Sequence, residues 1–386
     1  MRCVFLYNNN RGENMRIMHL GDLHIGKTIN QQSLLHEQSI LLNRLIEDIQ
    51  ETSIDVIVIA GDIYDRSIPS REAMKIYETF IYEVNQIMKI PVLVVSGNHD
   101  SAERLGYGKA WYKGHELYIG TTIDDALYPV SIDDVDFYLV PYIEPVIARQ
   151  YFEDDRIRTH HDTYKRIIEQ IEQRMNKDRK NIMVSHLFVA GGKTSASERE
   201  IIVGTIENVS PNLFNAFDYV MLGHLHTPDA IHDEKVFYSG SIMKYSFDEV
   251  YQRKGYRIFD LDQQQVNFVS LSPPRDLQYA TGTYEDAIKM KLGVDRNSYL
   301  KLELSEMEHI NDPMFKLKQV YPYLLELKPV IDHKDIRYQQ KEVQHLSHFE
   351  LVQQFYIDMT ESEMDNTQKN LIEQLINESR VLDETD

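Results

Sequence analysis

The chain has 386 residues, 42% hydrophobic and 26% charged, an ordinary composition for a globular protein and long enough for two domains. Its net charge of −20, from 41 Lys and Arg against 61 Asp and Glu, argues against a bare nucleic-acid binder, because phosphate neutralisation supplies most non-specific DNA affinity. Cys3 is the single cysteine and the run Val4–Tyr7 is too short for a secretory signal; with no stretch near the roughly 20 apolar residues that span a bilayer, a cytoplasmic chain without a membrane partner is expected.

In chain order, the run Arg16–Leu20 reads as a strand and closes on Gly21-Asp22-Leu23-His24. Leu34, Leu35, Leu41, Leu42, Leu45, Ile46 and Ile49 recur at helical spacing and predict a helix over Gln32–Gln50. A strand over Val56–Ala60 ends in Gly61-Asp62, and a helix over Glu72–Met88, entered through Pro69-Ser70, leads to a strand at Val92–Val95 that ends in Gly97-Asn98-His99-Asp100. Asp133–Pro141 is antiparallel in character. A helix over Tyr164–Met175 feeds a strand from Ile182 that closes on His186, and Val220–Leu222 closes on Gly223-His224-Leu225-His226.

The short pieces Val236–Tyr238, Tyr256–Phe259 and Val266–Val269 suit sheet edges and hairpins, and Ser272–Arg275 marks a boundary. Beyond it a helix over Tyr284–Leu292, a strand over Tyr299–Leu304 and a helix over Met314–Leu325 suit a small α+β module. From Phe349 onward the chain reads helical, polar and acidic, with Phe349, Val352, Phe355 and Tyr356 on one apolar face. Alternating strands and helices imply an α/β fold with a largely parallel sheet.

Five strand ends therefore carry metal-binding side chains, and in open α/β sheets the ligand site lies beyond the carboxyl ends of the strands. Asp22 and His24, at i and i+2, face one side, as do His224 and His226. Asp62 can offer two oxygens and bridge two ions; Asn98 adds a neutral oxygen and His186 an imidazole. Mixed imidazole, carboxylate and amide ligation suits Mn, Fe or Zn better than Ca or Mg. Seven such ligands are too many for one tetrahedral site and suit two, the arrangement that stabilises attacking and leaving oxygens in phosphoryl chemistry. The chain contains 15 His; those outside these strand ends, His36 and His115 among them, read as ordinary surface or core residues.

A second motif competes for the first strand end. Gly21 to Thr28 satisfies G-x-x-x-x-G-K-T, the phosphate-loop pattern of nucleotide hydrolases. That reading sets the carboxylate of Asp22 beside a bound phosphate and leaves the other four strand ends unexplained. Lys27 reads better as a cation near a substrate phosphate or as a solvated residue.

The ordered set D-x-H, G-D, G-N-H-D, H and G-H-x-H resembles the calcineurin-like metallophosphoesterases over roughly residues 15–270. That resemblance implies a sandwich of mixed β-sheets flanked by helices. One ion would be held by Asp22, His24, Asp62 and His226, and a second by Asp62, Asn98, His186 and His224. It casts His99 as the catalytic histidine, contacting the scissile phosphate or protonating the leaving oxygen, with Asp100 orienting its ring.

Longer stretches resemble the SbcD family, the nuclease subunits of bacterial SbcCD complexes. They are Asn98 to Leu105, Ala190 to Arg199 followed by Val203-Gly204, Tyr238 to Phe247, and Pro274-Arg275-Asp276-Leu277. The resemblance implies two divalent metal ions, manganese above all. It also implies a nuclease with 3′→5′ exonuclease action on double-stranded ends and endonuclease action on single strands and hairpins, serving DNA repair, recombination and replication.

Partners implied are a second copy of the chain, DNA ends, and the coiled-coil ATPase SbcC, which would use ATP in place of this chain. The expected organisation is an N-terminal extension over 1–14, a nuclease domain over 15–272, an α+β capping domain over 273–345 and a helical, SbcC-binding tail over 346–386. Lys27, Arg66 and Arg104 are candidate DNA contacts. Met15 matches the family's usual start and is expected to be the natural initiator. Asp65 stands where archaeal and eukaryotic relatives carry a second histidine. Two rivals share the core: a phosphomonoesterase indifferent to DNA, and a non-catalytic DNA-end scaffold.

Overall fold

The computed structural model describes residues 15–192, 208–307, 309–330, 347–360 and 362–383. The expected extension over 1–14, most of the segment from Ala190 to Gly204 and the boundary near residue 345 lie outside them. The chain divides into two compact units, Met1–Pro329 and Val330–Asp386.

In the first unit, β1 (Arg16–Leu20) is followed by a two-strand hairpin, β2 (Thr28–Ile29) and β3 (Gln32–Ser33), the helix Leu35–Thr52 and β4 (Val56–Ala60). The helix Arg71–Ile81 continues as a π-turn over Tyr82–Ile87, and β5 (Val92–Val95) and β6 (Leu117–Gly120) come next. Then come β7 (Val130–Ile132), β8 (Val135–Val140), the helix His160–Glu172, β9 (Lys180–His186) and β10 (Tyr219–Gly223). β11 (Val236–Tyr238), β12 (Gly255–Asp260) and β13 (Gln265–Ser270) complete the two main sheets. The strands β14 (Leu277–Thr283), β15 (Tyr299–Ser305) and β16 (Leu324–Pro329) form a third, parallel sheet with the helices Tyr284–Ile288 and Pro313–Val320.

One sheet has the order β13-β12-β1-β4-β5-β6 and the other β11-β10-β9-β8-β7. Strands β1, β4, β5 and β6 run parallel, as do β8, β9, β10 and β11, while β12 and β7 join antiparallel. The sheets face each other across a core that includes Ile17, Val56, Val58, Val95, Phe137 and Met221. Strands covered on both faces read as continuous apolar runs, which is why β4 is Val-Ile-Val-Ile-Ala with every residue buried.

Outside one sheet lies the helix Leu35–Thr52, buried through Leu41, Leu42, Leu45 and Ile49. The helix Arg71–Ile81 starts where Ser70 Oγ accepts the Ala73 N–H, one of the donors a helix start leaves open. The helix His160–Glu172 covers the other sheet, opened by a reciprocal cap between Thr159 and Asp162.

The expected α/β sandwich with a small α+β module is present. Its details differ in four places. Gln32 and Ser33 belong to β3, so the first helix starts at Leu35. The expected helix over Met314–Leu325 stops at Val320, because Pro322 disfavours helical backbone at Tyr321, and Leu324 onward pairs with β15. β14 was not expected, since its Ala280, Thr281 and Gly282 give no apolar alternation. The piece Val236–Tyr238 is a sheet edge, but it pairs parallel to β10 and not in a hairpin.

The second unit holds the helices His348–Thr360 and Asn366–Asp383, with a break where one continuous helical stretch was expected. Tyr356 of the expected stripe receives a hydrogen bond from Gln368 Nε2 at 3.1 Å, whereas Phe355 is exposed. Among the described residues, no helix is long and apolar enough to cross a membrane.

Candidate active site

The carboxyl ends of β1, β4, β5, β9 and β10 meet where the two sheets abut. Asp22, His24, Asp62, His99, His186, His224 and His226 are all buried there, and Asn98 is half-buried. Asp22, His24, Asp62 and His224 have positive φ, at 50°, 40°, 50° and 97°. Non-glycine residues persist in such backbone only where their surroundings over-determine it. Close approach of the loops also needs glycine: a Cβ on Gly97 would stand 2.2 Å from Asp62 Oδ1, and one on Gly61 2.4 Å from His186 Nδ1.

Each first atom of the key carboxylates is tied to a backbone N–H, so the second is left to face the cluster. Asp22 Oδ1 accepts from His224 N at 2.8 Å and Asp62 Oδ1 from His99 N at 2.8 Å. Asp62 Oδ2 then lies 3.5 Å from Nε2 of both His24 and His186. The imidazoles are oriented from behind. His186 Nδ1 donates to the carbonyl of Ala60 at 2.9 Å and His226 Nδ1 to Glu249 Oε1 at 3.0 Å. Their Nε2 atoms face inward, His226 toward His24 Nε2 at 3.1 Å and His186 toward Asn98 Oδ1 at 3.0 Å.

Electrostatics follow from burial set against proximity. Burial raises the Asp22 carboxyl pKa against the pull of His186 and His226. Burial acts on Asp62 in the same sense, but His186 and His24 outweigh it and hold that carboxyl well below its usual range. Burial keeps His24 neutral, far below the ordinary imidazole value despite Asp62. Burial and the His186 charge push His224 down to about 3. Burial opposes charge on His186 too, yet Asp62 lifts it to about 9.

These residues fit divalent cations. Asp22 Oδ2 is buried without a hydrogen-bond partner, and ring nitrogens of His24 and His226 face each other with nothing but lone pairs or one shared proton between them. Ligand atoms of Asp22, His24 and His226 lie within 4.8 Å of one another, as do those of Asp22, Asp62 and His186. All seven residues expected as metal ligands converge here.

The expected role of Asp100 needs correction. Its carboxylate accepts the backbone N–H groups of Ile63, Tyr64 and Gly97 at 3.2, 3.2 and 3.0 Å. The His99 ring is held instead through Nδ1 by the carbonyl of Asp65 at 2.8 Å. Since a carbonyl only accepts, Nδ1 carries the proton and Nε2 faces the cluster, 4.0 Å from Asp62 Oδ2.

Of the candidate DNA contacts, Lys27 pairs with Asp65 Oδ1 at 2.9 Å and Arg66 approaches Asp65 Oδ2 at 3.8 Å. Arg104 lies exposed on the short helix Ala102–Leu105. The phosphate-loop reading fails on structure: Thr28 opens β2 where that motif needs a helix, the next helix starting only at Leu35, and Asp22 is fully buried in the cluster.

Sequence reading gave several supporting residues no role in the site. Asp65 joins His24 and His99 in a third close group of possible ligands. Gln38 Nε2 donates to the carbonyls of Leu23 and His24 at 3.0 and 2.8 Å, and Tyr245 O–H donates to Leu23 O, so both fix the Asp22–His24 turn. Glu249 and Lys254 stand behind His226. Of these only Asp65 carried a local signal, as the second carboxylate after a strand end.

Comparison with known proteins agrees with the geometry. The calcineurin-like phosphoesterase family model matches residues 15–228, and the model of the Type 5 capsule protein repressor C-terminal domain matches 273–360. The SbcD subunit of the SbcCD nuclease of Staphylococcus epidermidis is 39% identical over 367 residues, covering 94% of this chain and 98% of that protein.

Among solved structures, a Thermus thermophilus protein covers 67% of this chain and 99% of its own, at 13% identity and a TM-score of 0.39. A dimetal phosphatase from Danio rerio covers 63% and 91%, at 13% identity and a TM-score of 0.41. The family model and the site define a phosphoesterase whose clustered Asp and His residues point to a place for two metal ions. The chain belongs to the calcineurin-like phosphoesterases and, within them, to the SbcD family of nuclease subunits.

Proposed function

We propose that this chain is a manganese-dependent DNA nuclease that hydrolyses phosphodiester bonds, degrading duplex ends 3′→5′ and cutting single strands and hairpins, in DNA repair, recombination and replication. The observation that carries the reading is Asp62 Oδ2, equidistant at 3.5 Å from Nε2 of His24 and His186, the placement of a carboxylate shared by two cations. Asp22, His24, Asp62 and His226 would hold one ion, and Asp62, Asn98, His186 and His224 the other. Two such ions supply stabilisation of the attacking and leaving oxygens of an in-line displacement.

The rest of the chemistry falls to the chain's own groups. His99, anchored through Nδ1, presents Nε2 to the cluster and would contact the scissile phosphate or, with Nε2 protonated as well as Nδ1, give the Nε2 proton to the leaving oxygen. Asp100 shapes the loop by gathering three backbone N–H groups. Lys27, Arg66 and Arg104 would offer positive charge to DNA in a chain of net charge −20, and a DNA-binding partner would supply the rest.

That partner is proposed to be the ATPase SbcC, with two copies of this chain in the complex. Residues 15–272 would form the nuclease domain, 273–345 a cap that steers DNA and 346–386 the docking tail. Exposed Phe355, Met359, Leu371 and Leu375 on the tail's two helices support helix-in-groove binding.

The test is chelator-stripped protein given Mn²⁺ and either an end-labelled DNA duplex or a chromogenic phosphomonoester. Release of nucleotides from the duplex, accelerated by SbcC and ATP, is expected. Rapid monoester hydrolysis with intact DNA would replace the nuclease with a phosphomonoesterase, and DNA binding without cleavage of either substrate would leave a scaffold.

A further inference from the structure

Behind His226 lies a closed ring of contacts that the proposed chemistry does not use. Glu249, at the end of the short helical turn Phe247–Glu249, is fully buried, and Lys254 is 4% exposed. One carboxylate oxygen of Glu249 accepts from His226 Nδ1 at 3.0 Å. The other takes the backbone N–H of Tyr245 at 3.0 Å and the Lys254 ammonium at 2.6 Å. Lys254 Nζ returns to the start, donating to the His226 carbonyl at 2.8 Å and to Ser241 Oγ at 2.9 Å. His226 is gripped at ring and backbone together.

A buried ion pair is weak evidence for stability, because desolvation offsets its Coulombic gain. Its placement against a ligand ring gives it another role. A carboxylate behind an imidazole fixes the tautomer and raises the basicity of the opposite nitrogen. The two halves of the site differ in this respect. His186 is backed by the neutral carbonyl of Ala60 at 2.9 Å, with Asp22 Oδ1 farther off at 3.9 Å. Asp22 adds a carboxylate to the His226 side, where the other side has the amide of Asn98.

We infer that the Glu249–Lys254 clamp makes the two cation sites unequal, the one at Asp22, His24 and His226 binding its ion more tightly than the one at Asn98, His186 and His224. Glu249 and Lys254 are positioning residues that act through His226. The inference rests on the two-cation reading above and adds an order of filling to it.

The test is a titration of chelator-stripped, full-length protein with Mn²⁺, followed by the electron paramagnetic resonance of the free ion and by calorimetry. The wild type is expected to show two binding classes. In Glu249→Gln the tighter class should weaken 10–100-fold with the weaker class unmoved, and excess Mn²⁺ should restore DNA cleavage, a rescue no general loss of structure would give. Glu249→Asp, which keeps the charge but withdraws it from the ring, should weaken the same class and serves if the first variant does not fold. Two equal classes in the wild type, or equal weakening of both in either variant, would overturn the inference while leaving two cations in place. Failure to bind a second ion at all would overturn the two-cation reading itself.

Discussion

The imidazole of His99 is anchored by the backbone of Asp65 and not by a side chain: its Nδ1 donates to the Asp65 carbonyl at 2.8 Å. The contact is made by a main-chain carbonyl, so the hold on the ring does not draw on the Asp65 side chain. His99→Ala is expected to slow DNA cleavage by ~10²–10⁴-fold, the usual worth of a general acid, with Mn²⁺ binding unchanged. Single-turnover cleavage together with a metal-binding isotherm checks both halves, and loss of Mn²⁺ affinity in this variant would place His99 among the ligands instead.

Metal uptake should be linked to protons. In the metal-free protein burial opposes charge on His186, but Asp62 lifts its pKa from 6.5 to about 9. A raised imidazole pKa contributes stability that is fully present below pH 6.5 and is lost as pH rises through about 9. Through neutral pH the ring holds a proton that must leave before Nε2 can ligate. Binding of Mn²⁺ at pH 7.5 is expected to release about one proton from this ring, read from calorimetry in two buffers of different ionisation enthalpy. A heat independent of buffer would contradict it.

Gly97→Ala drives a Cβ to within 2.2 Å of Asp62 Oδ1 and 2.5 Å of Asp62 N. Overpacking of this kind costs ~1–3 kcal/mol, and here the strain falls on the shared carboxylate. Denaturant unfolding should show the loss and Mn²⁺ titration a weakening of both binding classes. Unchanged metal affinity would mean that Asp62 can shift without consequence.

The third sheet is riveted to the first helix by Arg275. Its guanidinium pairs with buried Glu37 at 2.7 Å and lies 3.7 Å from the ring centre of Tyr323. Tyr299 O–H donates to the same carboxylate at 3.2 Å. Arg275→Ala strands a buried carboxylate with one neutral partner and is expected to cost about 3 kcal/mol, near the low end for breaking a buried pair. Urea unfolding measures it, and a change under 1 kcal/mol, the range of an exposed pair, would show that Glu37 reaches water.

The ligands were legible because each sits at a strand end, where an apolar run closed by Gly or Ser announces both the strand and the residue beyond it. Asp22, Asp62, Asn98, His186 and His224 all carry that local mark. Glu249, Lys254 and Gln38 do not: they come from a short turn, a loop and a helix face, and reach the site through tertiary packing that periodicity does not report. The assignment of Asp100 to the His99 ring failed for the same reason, since adjacency in sequence said nothing about three backbone N–H groups competing for its carboxylate. The third sheet was only half legible, because β14 lacks alternation and Pro322 was needed to see the helix before β16 end.

Anomalous diffraction from a crystal saturated with Mn²⁺ tests the central claim most directly. Two peaks ~3.5–4 Å apart, both in contact with the carboxylate of Asp62, are the expected result. A single peak, or two that do not share Asp62, would contradict it.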